Sequence, residues 1–173
     1  MQLVFLHGPP AAGKLTIATE LAALGVGQVF DNHLTMDVAR PFFAFGSRAF
    51  WDLARDLRLT CLRAGAAHGA GTILYTCCYD HPADLPLFET IEEIVGGSGG
   101  AVHPVYLSCS PAELERRVTD PARAARRKLH SVDGLRAQLA TWNCIAVPRD
   151  TCMTINTEGR TAADCAREIA ARL

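Results

Sequence analysis

The residues that most constrain this chain lie near its start, where an apolar run leads into a glycine loop and then a helix-like repeat. Leu3 to Leu6 are apolar, the loop reads GPPAAGK from Gly8 to Lys14, and apolar residues recur at helical spacing from Leu15 onward. A G-x-x-x-x-G-K loop between a strand and a helix is the context in which this pattern binds phosphates, through inward-turned backbone N–H groups and the helix N-terminus. We therefore predict a nucleotide site formed by Gly8, Pro9, Pro10, Ala11, Ala12, Gly13, Lys14, Leu15 and Thr16.

Lysine usage supports a phosphate role for the loop. Only two of the 17 basic residues are lysines, Lys14 and Lys128, so a chain that otherwise uses arginine places a lysine at the phosphate-binding position. The alternative is a tight strand-to-helix turn that carries a surface lysine. The rarity of lysine favours the phosphate site, with Lys14 reaching the outer phosphates.

The position after Lys14 departs from the pattern. It is ordinarily a serine or threonine whose hydroxyl binds Mg²⁺, and here it is Leu15, with Thr16 one place later. We expect nucleotide binding to survive this change, with Thr16 serving the α-phosphate or helping to hold the metal. Mg²⁺ usually keeps several waters, so it needs few ligands from the protein. We therefore still expect ATP and Mg²⁺ as cofactors, with Thr16 and Asp31 as the protein's metal ligands.

Composition and charge narrow the class of protein. A length of 173 residues is most simply one domain spanning 1–173, and a net charge of −1 provides no basic field for nucleic acid or an acidic membrane. No apolar run approaches the length of a membrane span. Seven cysteines without a C-x-x-C pair indicate reduced thiols and a cytoplasmic location. We expect a monomer or homodimer that binds a nucleotide and a small-molecule acceptor.

Candidate strands alternate with candidate helices along the chain. After the first unit, strands are predicted at 29–31, 71–76, 102–107 and 151–157, and helices before Pro41, at 47–68, 82–95, from 110, at 131–142 and from 161. This alternation predicts a parallel sheet with helices on both faces. Ligands of such a sheet bind at the carboxyl ends of its strands.

Two further segments carry a family resemblance. Residues 105–118 read VYLSCSPAELERRV and lead into a basic segment, and residues 155–169 read INTEGRTAADCAREI. Together with the glycine loop, they make the chain resemble small P-loop kinases of the shikimate kinase and gluconokinase type, within the nucleoside monophosphate kinase group. The resemblance implies an α/β, three-layer P-loop NTPase fold with a five-stranded parallel sheet ordered 2-3-1-4-5. It also implies an acceptor-binding region at 31–70 and an arginine-rich lid at 117–131.

The chain departs from shikimate kinases at three places. Asp31-Asn32-His33 keeps only the first acid of their Asp-x-Asp motif, Trp51 stands where an arginine follows the phenylalanine, and residues 140–143 lack the further substrate arginine. The carboxylate clamp of those enzymes is therefore incomplete. We expect a kinase-like enzyme whose acceptor is not shikimate.

Asp31 and the arginines of the basic segment join Lys14 as catalytic candidates. Asp31 would organise a metal-bound water or accept the proton of the acceptor hydroxyl; alternatively, it caps the helix that follows. Arginines that fold over the nucleotide would neutralise the charge of phosphoryl transfer, although most such runs are solvated surface. The candidates are Arg117 for stacking on the base and Arg123, Arg126 and Arg127 for the phosphates.

Four side chains are candidates for binding the acceptor. His33 follows the second strand, Tyr79 and His81 follow the third, and Arg58 shares a helix face with Arg55. Each has a structural alternative: His33 as a structural histidine, the arginines in surface ion pairs, and Tyr79 with His81 in a helix-capping turn. We favour the pocket for Arg58 and the surface pairs for Arg55.

These features predict an ATP-dependent phosphotransferase that moves the γ-phosphoryl group to a small hydroxylated or anionic metabolite. A second hypothesis, favoured by Leu15 and the missing second aspartate, is a nucleotide-binding sensor without efficient catalysis. A third is a kinase for an antibiotic or a nucleic-acid end. The basic segment is local and lacks interleaved aromatic residues, so a nucleic-acid partner is not expected.

Overall fold

A computed structural model describes residues 1–173, and a five-stranded parallel sheet lies at its centre. The strand order is β2-β3-β1-β4-β5, which confirms the predicted sheet. The strands are β1 (Gln2–His7), β2 (Gln28–Asp31), β3 (Thr72–Cys77), β4 (Val102–Ser108) and β5 (Met153–Asn156).

Eight helices connect and cover the strands. They are α1 (Lys14–Ala23), α2 (Asn32–Ala39), α3 (Arg48–Ala67), α4 (Leu85–Gly97), α5 (Pro111–Val118), α6 (Pro121–Ala125), α7 (Val132–Thr141) and α8 (Ala162–Ala170). None of these helices combines the length and apolar character that crossing a membrane requires.

The central strand β1 separates two apolar layers. Side chains alternate across a strand, so Val4 and Leu6 join the core beneath α1, α5, α7 and α8, whereas Leu3 and Phe5 join the core beneath α3 and α4. A strand that is buried on both faces reads as a continuous apolar run, which is why its sequence signal is strong. The three-layer arrangement follows.

The strand order places the glycine loop at a crevice. β1 pairs with β3 on one side and with β4 on the other. The connection after β1 runs toward β2 on one side, whereas the connection after β3 crosses β1 to reach β4 on the other side. Ligands of open α/β sheets bind at such a switch point, outside the carboxyl ends of the strands. The loop after β1 and the residues that end β2 and β3 therefore lie at one edge.

Two predicted boundaries move by a few residues. The helix expected from Pro82 begins at Leu85, because residues 80–84 form a turn in which the Asp84 amide donates to the Asp80 carbonyl at 2.8 Å. The last strand is shorter than predicted, because the Cys152 amide donates to the Arg149 carbonyl at 2.9 Å and this turn keeps the preceding residues out of the sheet.

Candidate active site

The glycine loop has the curled backbone that phosphate binding requires. Gly8 has φ +139°, and a Cβ there would lie 2.5 Å from the carbonyl oxygen of Leu107, so a side chain is excluded at this position. Gly13 has φ +93° and precedes α1 without providing any side-chain cap. The first N–H groups of α1 therefore keep the free donors that attract an anion to a helix N-terminus.

Lys14 lies across this loop. Its ammonium donates to the carbonyl oxygens of Gly8, at 2.8 Å, and Pro9, at 2.7 Å. Both partners are neutral, so a phosphate would offer the ammonium a stronger, charge-assisted hydrogen bond. The contacts hold the charge inside the loop.

Asp31 caps the helix that follows it, as its structural alternative predicts, and its side chain also lines the cleft. It is the N-cap of α2, and its Oδ1 accepts hydrogen bonds from the His33 amide at 3.4 Å and from the Thr76 hydroxyl at 2.8 Å. The His33 ring lies 3.3 Å from the same oxygen. The second oxygen, Oδ2, pairs with the ammonium of Lys128 at 3.2 Å, which ties the lid to the end of β2.

The Asp31–Lys128 pair is well shielded, since each side chain is only 14% exposed. Burial alone would raise the pKa of Asp31, but the hydrogen bonds from His33 and Thr76 and the charge of Lys128 outweigh it and hold that pKa far below its usual range. Burial lowers the pKa of Lys128; Asp31 opposes this shift, and the charges of Lys14 and Arg123 add to it. Lys128 thus lies beside Asp31 in a cleft that Lys14 and Arg123 also line.

The basic segment forms the predicted lid side of the cleft. Arg123, Arg126 and Arg127 all line it, and the Arg123 Nε donates to the Leu129 carbonyl at 2.8 Å. Arg127 has φ +51°, so the chain turns sharply after α6 and carries Lys128 back toward Asp31.

Arg117 is fixed near the end of β5 and is not part of a solvated charge run. Its Nε donates to Glu113 at 2.7 Å, and its two terminal nitrogens donate to the hydroxyl and the carbonyl of Thr157 at 3.0 and 2.8 Å. Arg117 and Thr157 both line the cleft. The guanidinium is therefore pre-oriented, as stacking on a base would require.

One cleft of about 1340 Å³ joins the loop, the lid and the predicted acceptor region. Its far end, which we call the acceptor side, is lined by aromatic, acidic and basic side chains. They come from α2, the segment between α2 and α3, α3 itself and the segment after β3, and they include Met36, Phe45, Trp51, Arg58, Cys78 and Asp84. His33 also lines the cleft and lies between Asp31 and this end.

Arg58 is the most unusual residue of the acceptor side. It is only 6% exposed, its Nη2 donates to the side chain of Asn32, and its Nε has no partner. No carboxylate lies within ion-pair distance of it, although its guanidinium lies 5.9 Å from the ring centre of Tyr75. The charge of Arg58 acts on Asp84 and lowers its pKa, against the larger effect of burial, but the two side chains form no direct ion pair. A buried cation without a direct ion pair is costly, so this position favours an anionic ligand. Arg55, in contrast, forms the predicted pair with Asp52, at 3.4 Å, and is about half exposed, although it also lines the cleft.

The structure places Tyr79 and His81 away from the cleft. Tyr79 is 1% exposed and packs against Phe88 and His7 in the core beneath α4, and its hydroxyl lies 2.9 Å from the His81 ring. Neither residue lines the cleft, so neither is positioned to touch an acceptor there. His81 lies in the turn before α4, as its structural alternative predicts. The side chain of Tyr79 enters the apolar layer beneath α4 instead of the sheet edge.

Three site residues were missed by the sequence reasoning. Thr76 lies opposite Asp31 in the β2–β3 register and donates to it, a relation that only the strand order reveals. Asp84 lines the acceptor side, and burial raises its pKa. Lys128 carried a signal, since it is the second of two lysines in the chain.

The residues present do not fit the predicted magnesium site. Leu15 offers no oxygen at the position of the usual hydroxyl ligand, and Asp31 directs one of its two oxygens at Lys128. Thr16 lines the cleft, but no group of three or more His, Cys, Asp or Glu side chains is arranged to hold a metal ion. Thr16 and Asp31 could provide two oxygen ligands, so phosphates and water would have to complete an Mg²⁺ site.

Comparisons with known proteins give matches to structures and none to sequences. No protein-family model and no curated protein matches the chain. Among solved structures, a candidate kinase from Chloroflexus aurantiacus superposes with a TM-score of 0.74 at 16% identity, over 99% of this chain and 98% of that one. A sugar kinase from Janibacter sp. gives 0.68 at 16% identity, covering 99% and 93%.

A third structure was solved with ligands. The APS kinase of Mycobacterium tuberculosis, in complex with AMPPNP and APS, gives a TM-score of 0.63 at 15% identity, covering 99% of this chain and 96% of that one. A gluconokinase and a shikimate kinase also match. The predicted resemblance is therefore confirmed at the level of the fold: this chain has the fold shared by these P-loop kinases of small metabolites.

Proposed function

We propose that the protein is an ATP-dependent phosphotransferase that moves the γ-phosphoryl group to a hydroxyl of a small anionic metabolite. One observation carries the proposal: a single cleft joins a phosphate-binding loop to a buried, unpaired guanidinium, that of Arg58. A site that only stored nucleotide would need no second, separate anion position. The kinase fold of the similar structures, and the nucleotide analogue bound in one of them, support the assignment.

The residues divide by role along the cleft. The phosphates bind to the loop from Gly8 to Thr16, which includes Lys14. The base binds to Arg117, and the anionic group of the acceptor binds to Arg58. The lid arginines, Arg123, Arg126 and Arg127, neutralise charge on the transferring group.

The reaction forms one phosphorus–oxygen bond and breaks another. The acceptor hydroxyl oxygen attacks the γ-phosphorus, the bond from that phosphorus to the bridging oxygen breaks, and ADP leaves with the electron pair. Because the transition state is loose, little is asked of a base, so the carboxylate of Asp31 orients the hydroxyl despite its low pKa, and the proton passes to solvent. No step of this scheme requires a metal ligand from the protein.

Calorimetric titration with ATP tests the nucleotide half of the proposal. The intact protein should bind ATP, and Lys14→Ala should weaken binding at least about tenfold, because a charge-assisted hydrogen bond is lost. Arg136→Ala is the matched control, since it removes an equal charge from an exposed pair with Glu115. Equal affinities for the intact protein and Lys14→Ala would contradict the assignment of the loop.

ADP production across a panel of hydroxylated carboxylates and phosphates tests the acceptor half. We expect at least one anionic acceptor to raise ATP consumption above the rate with water alone. Uncharged sugars of similar size are the control, and they should not do so.

A sensor without efficient turnover is the second candidate, and Leu15 favours it. In that case ATP would bind with Lys14-dependent affinity while no acceptor in the panel raised ADP production. Leu15→Ser sharpens the distinction, because restoring the hydroxyl should then increase magnesium-dependent affinity or turnover.

A further inference from the structure

The only two lysines of the chain converge on one site. Lys14 begins α1, and Lys128 lies beyond α6, yet both line the same cleft. Lys128 is 14% exposed and reaches Asp31 at the edge of the sheet that carries the phosphate loop. A chain that uses arginine at its 15 other basic positions has placed both lysines here.

The chemistry of lysine fits a position next to phosphates and a missing metal ligand. An ammonium is a compact, strongly hydrated point charge, whereas a guanidinium is a planar fork suited to paired contacts. Of the two groups, the ammonium is the closer substitute for a small cation that neutralises phosphate oxygens. Leu15 removes the hydroxyl that would hold such a cation after Lys14, and Lys128 lines the same cleft, beside Asp31.

We propose that Lys128 leaves Asp31 when ATP binds and gives its ammonium to the outer phosphates, in place of the metal that a hydroxyl at position 15 would hold. The inference rests on the proposed function, in that ATP must bind at the loop. Its consequence is nucleotide binding that depends only weakly on Mg²⁺.

The exchange of partners is feasible without stranding a buried charge. Asp31 keeps the Thr76 hydroxyl at 2.8 Å and the His33 ring at 3.3 Å on Oδ1 when Lys128 departs from Oδ2. Lys128 trades one carboxylate for a polyphosphate of higher charge, a stronger partner in the same shielded site. The released oxygen of Asp31 then becomes available to the acceptor hydroxyl.

A competing role for Lys128 is that of a simple latch that closes the lid and must open before ATP enters. The two roles predict opposite effects of removing the ammonium. Loss of a phosphate contact weakens ATP binding, whereas loss of a latch strengthens it or leaves it unchanged.

The test is calorimetric titration of ATP in EDTA and in excess Mg²⁺, for the intact protein and Lys128→Met. We expect the dissociation constants of the intact protein in the two solutions to differ less than about tenfold. Lys128→Met should bind at least about tenfold more weakly in EDTA, because a charged hydrogen bond is lost. Arg136→Met is the matched control, and Lys128→Arg, which keeps the charge, should stay closer to the intact protein.

A double variant keeps the test informative if Lys128→Met binds no ATP at all. Adding Leu15→Ser to Lys128→Met restores the hydroxyl, so ATP binding should return with Mg²⁺ and remain weak in EDTA. Failure of this rescue in a protein with an unchanged melting temperature would overturn the proposal.

The remaining outcomes separate this inference from the proposed function. ATP binding that is unchanged or tighter in Lys128→Met overturns the role of Lys128 and leaves the kinase proposal standing. Loss of ATP binding by the intact protein in EDTA also overturns the role of Lys128 and leaves the kinase proposal standing. Absence of ATP binding by the intact protein in both solutions overturns both.

Discussion

The two ends of the cleft are built in different ways. The phosphate end, residues 8–16, is contiguous in sequence and consists mainly of backbone between β1 and α1. The acceptor side is assembled from side chains of α2, α3 and the segment after β3. Phe45 and Trp51 at that end are 58% and 38% exposed, whereas the loop lies directly on the apolar core.

This difference follows from what each end must recognise. Every nucleotide presents the same phosphates, so a fixed loop of backbone donors serves any member of such a fold. An acceptor is specific, and side chains that can be exchanged without changing the backbone determine which one binds. The fold therefore supplies the phosphate end, and the individual sequence supplies the acceptor side.

The two ends also differ in how completely their polar groups are satisfied. At the phosphate end, buried His7 accepts from the Val147 amide at 3.1 Å through Nε2, and its Nδ1 lies 3.3 Å from the Phe5 carbonyl. At the acceptor side, the Arg58 Nε is buried without a partner. Unsatisfied groups are expected where a ligand completes the site.

Gly8→Ala tests the rigidity of the phosphate end, and we expect it to have the largest effect. The new Cβ would lie 2.5 Å from the Leu107 carbonyl oxygen, and φ +139° is strained for alanine. Crowding and strain together should lower the free energy of unfolding by about 3 kcal/mol or more. Urea denaturation measures this change.

Gly25→Ala is the matched control for that variant. Gly25 also has positive φ, at +78°, but no atom lies within 4 Å of the place that the new methyl carbon would take, so only the conformational cost of about 1–2 kcal/mol applies. Equal losses in the two variants would show that the contact with Leu107 does not fix the loop.

The second prediction concerns pH and the core beneath the loop. Burial lowers the pKa of His7 to about 4, from 6.5. The unfolded chain therefore takes up a proton below pH 6.5 that the folded protein does not, so stability is full above that pH and falls as the pH drops toward 4. The slope approaches about 1.4 kcal/mol per pH unit, or roughly 2 kcal/mol between pH 6.5 and 5.

His7→Gln isolates this contribution. The glutamine amide oxygen can accept from the Val147 amide without titrating, and all other groups remain the same in both proteins. Urea denaturation at several pH values should show a shallower loss for His7→Gln. Parallel profiles would mean that His7 becomes protonated without cost.

The contrast between the two ends also describes what the sequence could predict. The loop geometry and the sheet order were predictable because each depends on a local pattern or on a resemblance spanning contiguous residues, whereas the lid stays a prediction. Tyr79 and His81 were not, since a residue that follows a strand can point into the core or toward the edge, and periodicity does not decide between them.

Contacts between distant segments lay beyond the same reasoning. Thr76 and Lys128 meet Asp31 from 45 and 97 residues away. Only the register of β2 against β3 and the turn after α6 bring them together. The rarity of lysine pointed to Lys128 but did not say where its ammonium would lie.

Arg58→Met tests whether the acceptor side is maintained for binding at the expense of stability, and its effect on folding should be the smallest. Removing a buried cation without a counter-charge should leave the free energy of unfolding unchanged or raise it by up to about 1 kcal/mol. The concentration of anionic acceptor needed for half-maximal ADP production should rise at least about tenfold, because the charged contact is lost. Arg136→Met, which removes an exposed pair with Glu115 and does not line the cleft, should change neither quantity appreciably. A loss of about 2 kcal/mol or more in the free energy of unfolding of Arg58→Met, with acceptor dependence unchanged, would contradict this prediction. It would show that Arg58 stabilises the fold through Asn32 and does not bind the acceptor.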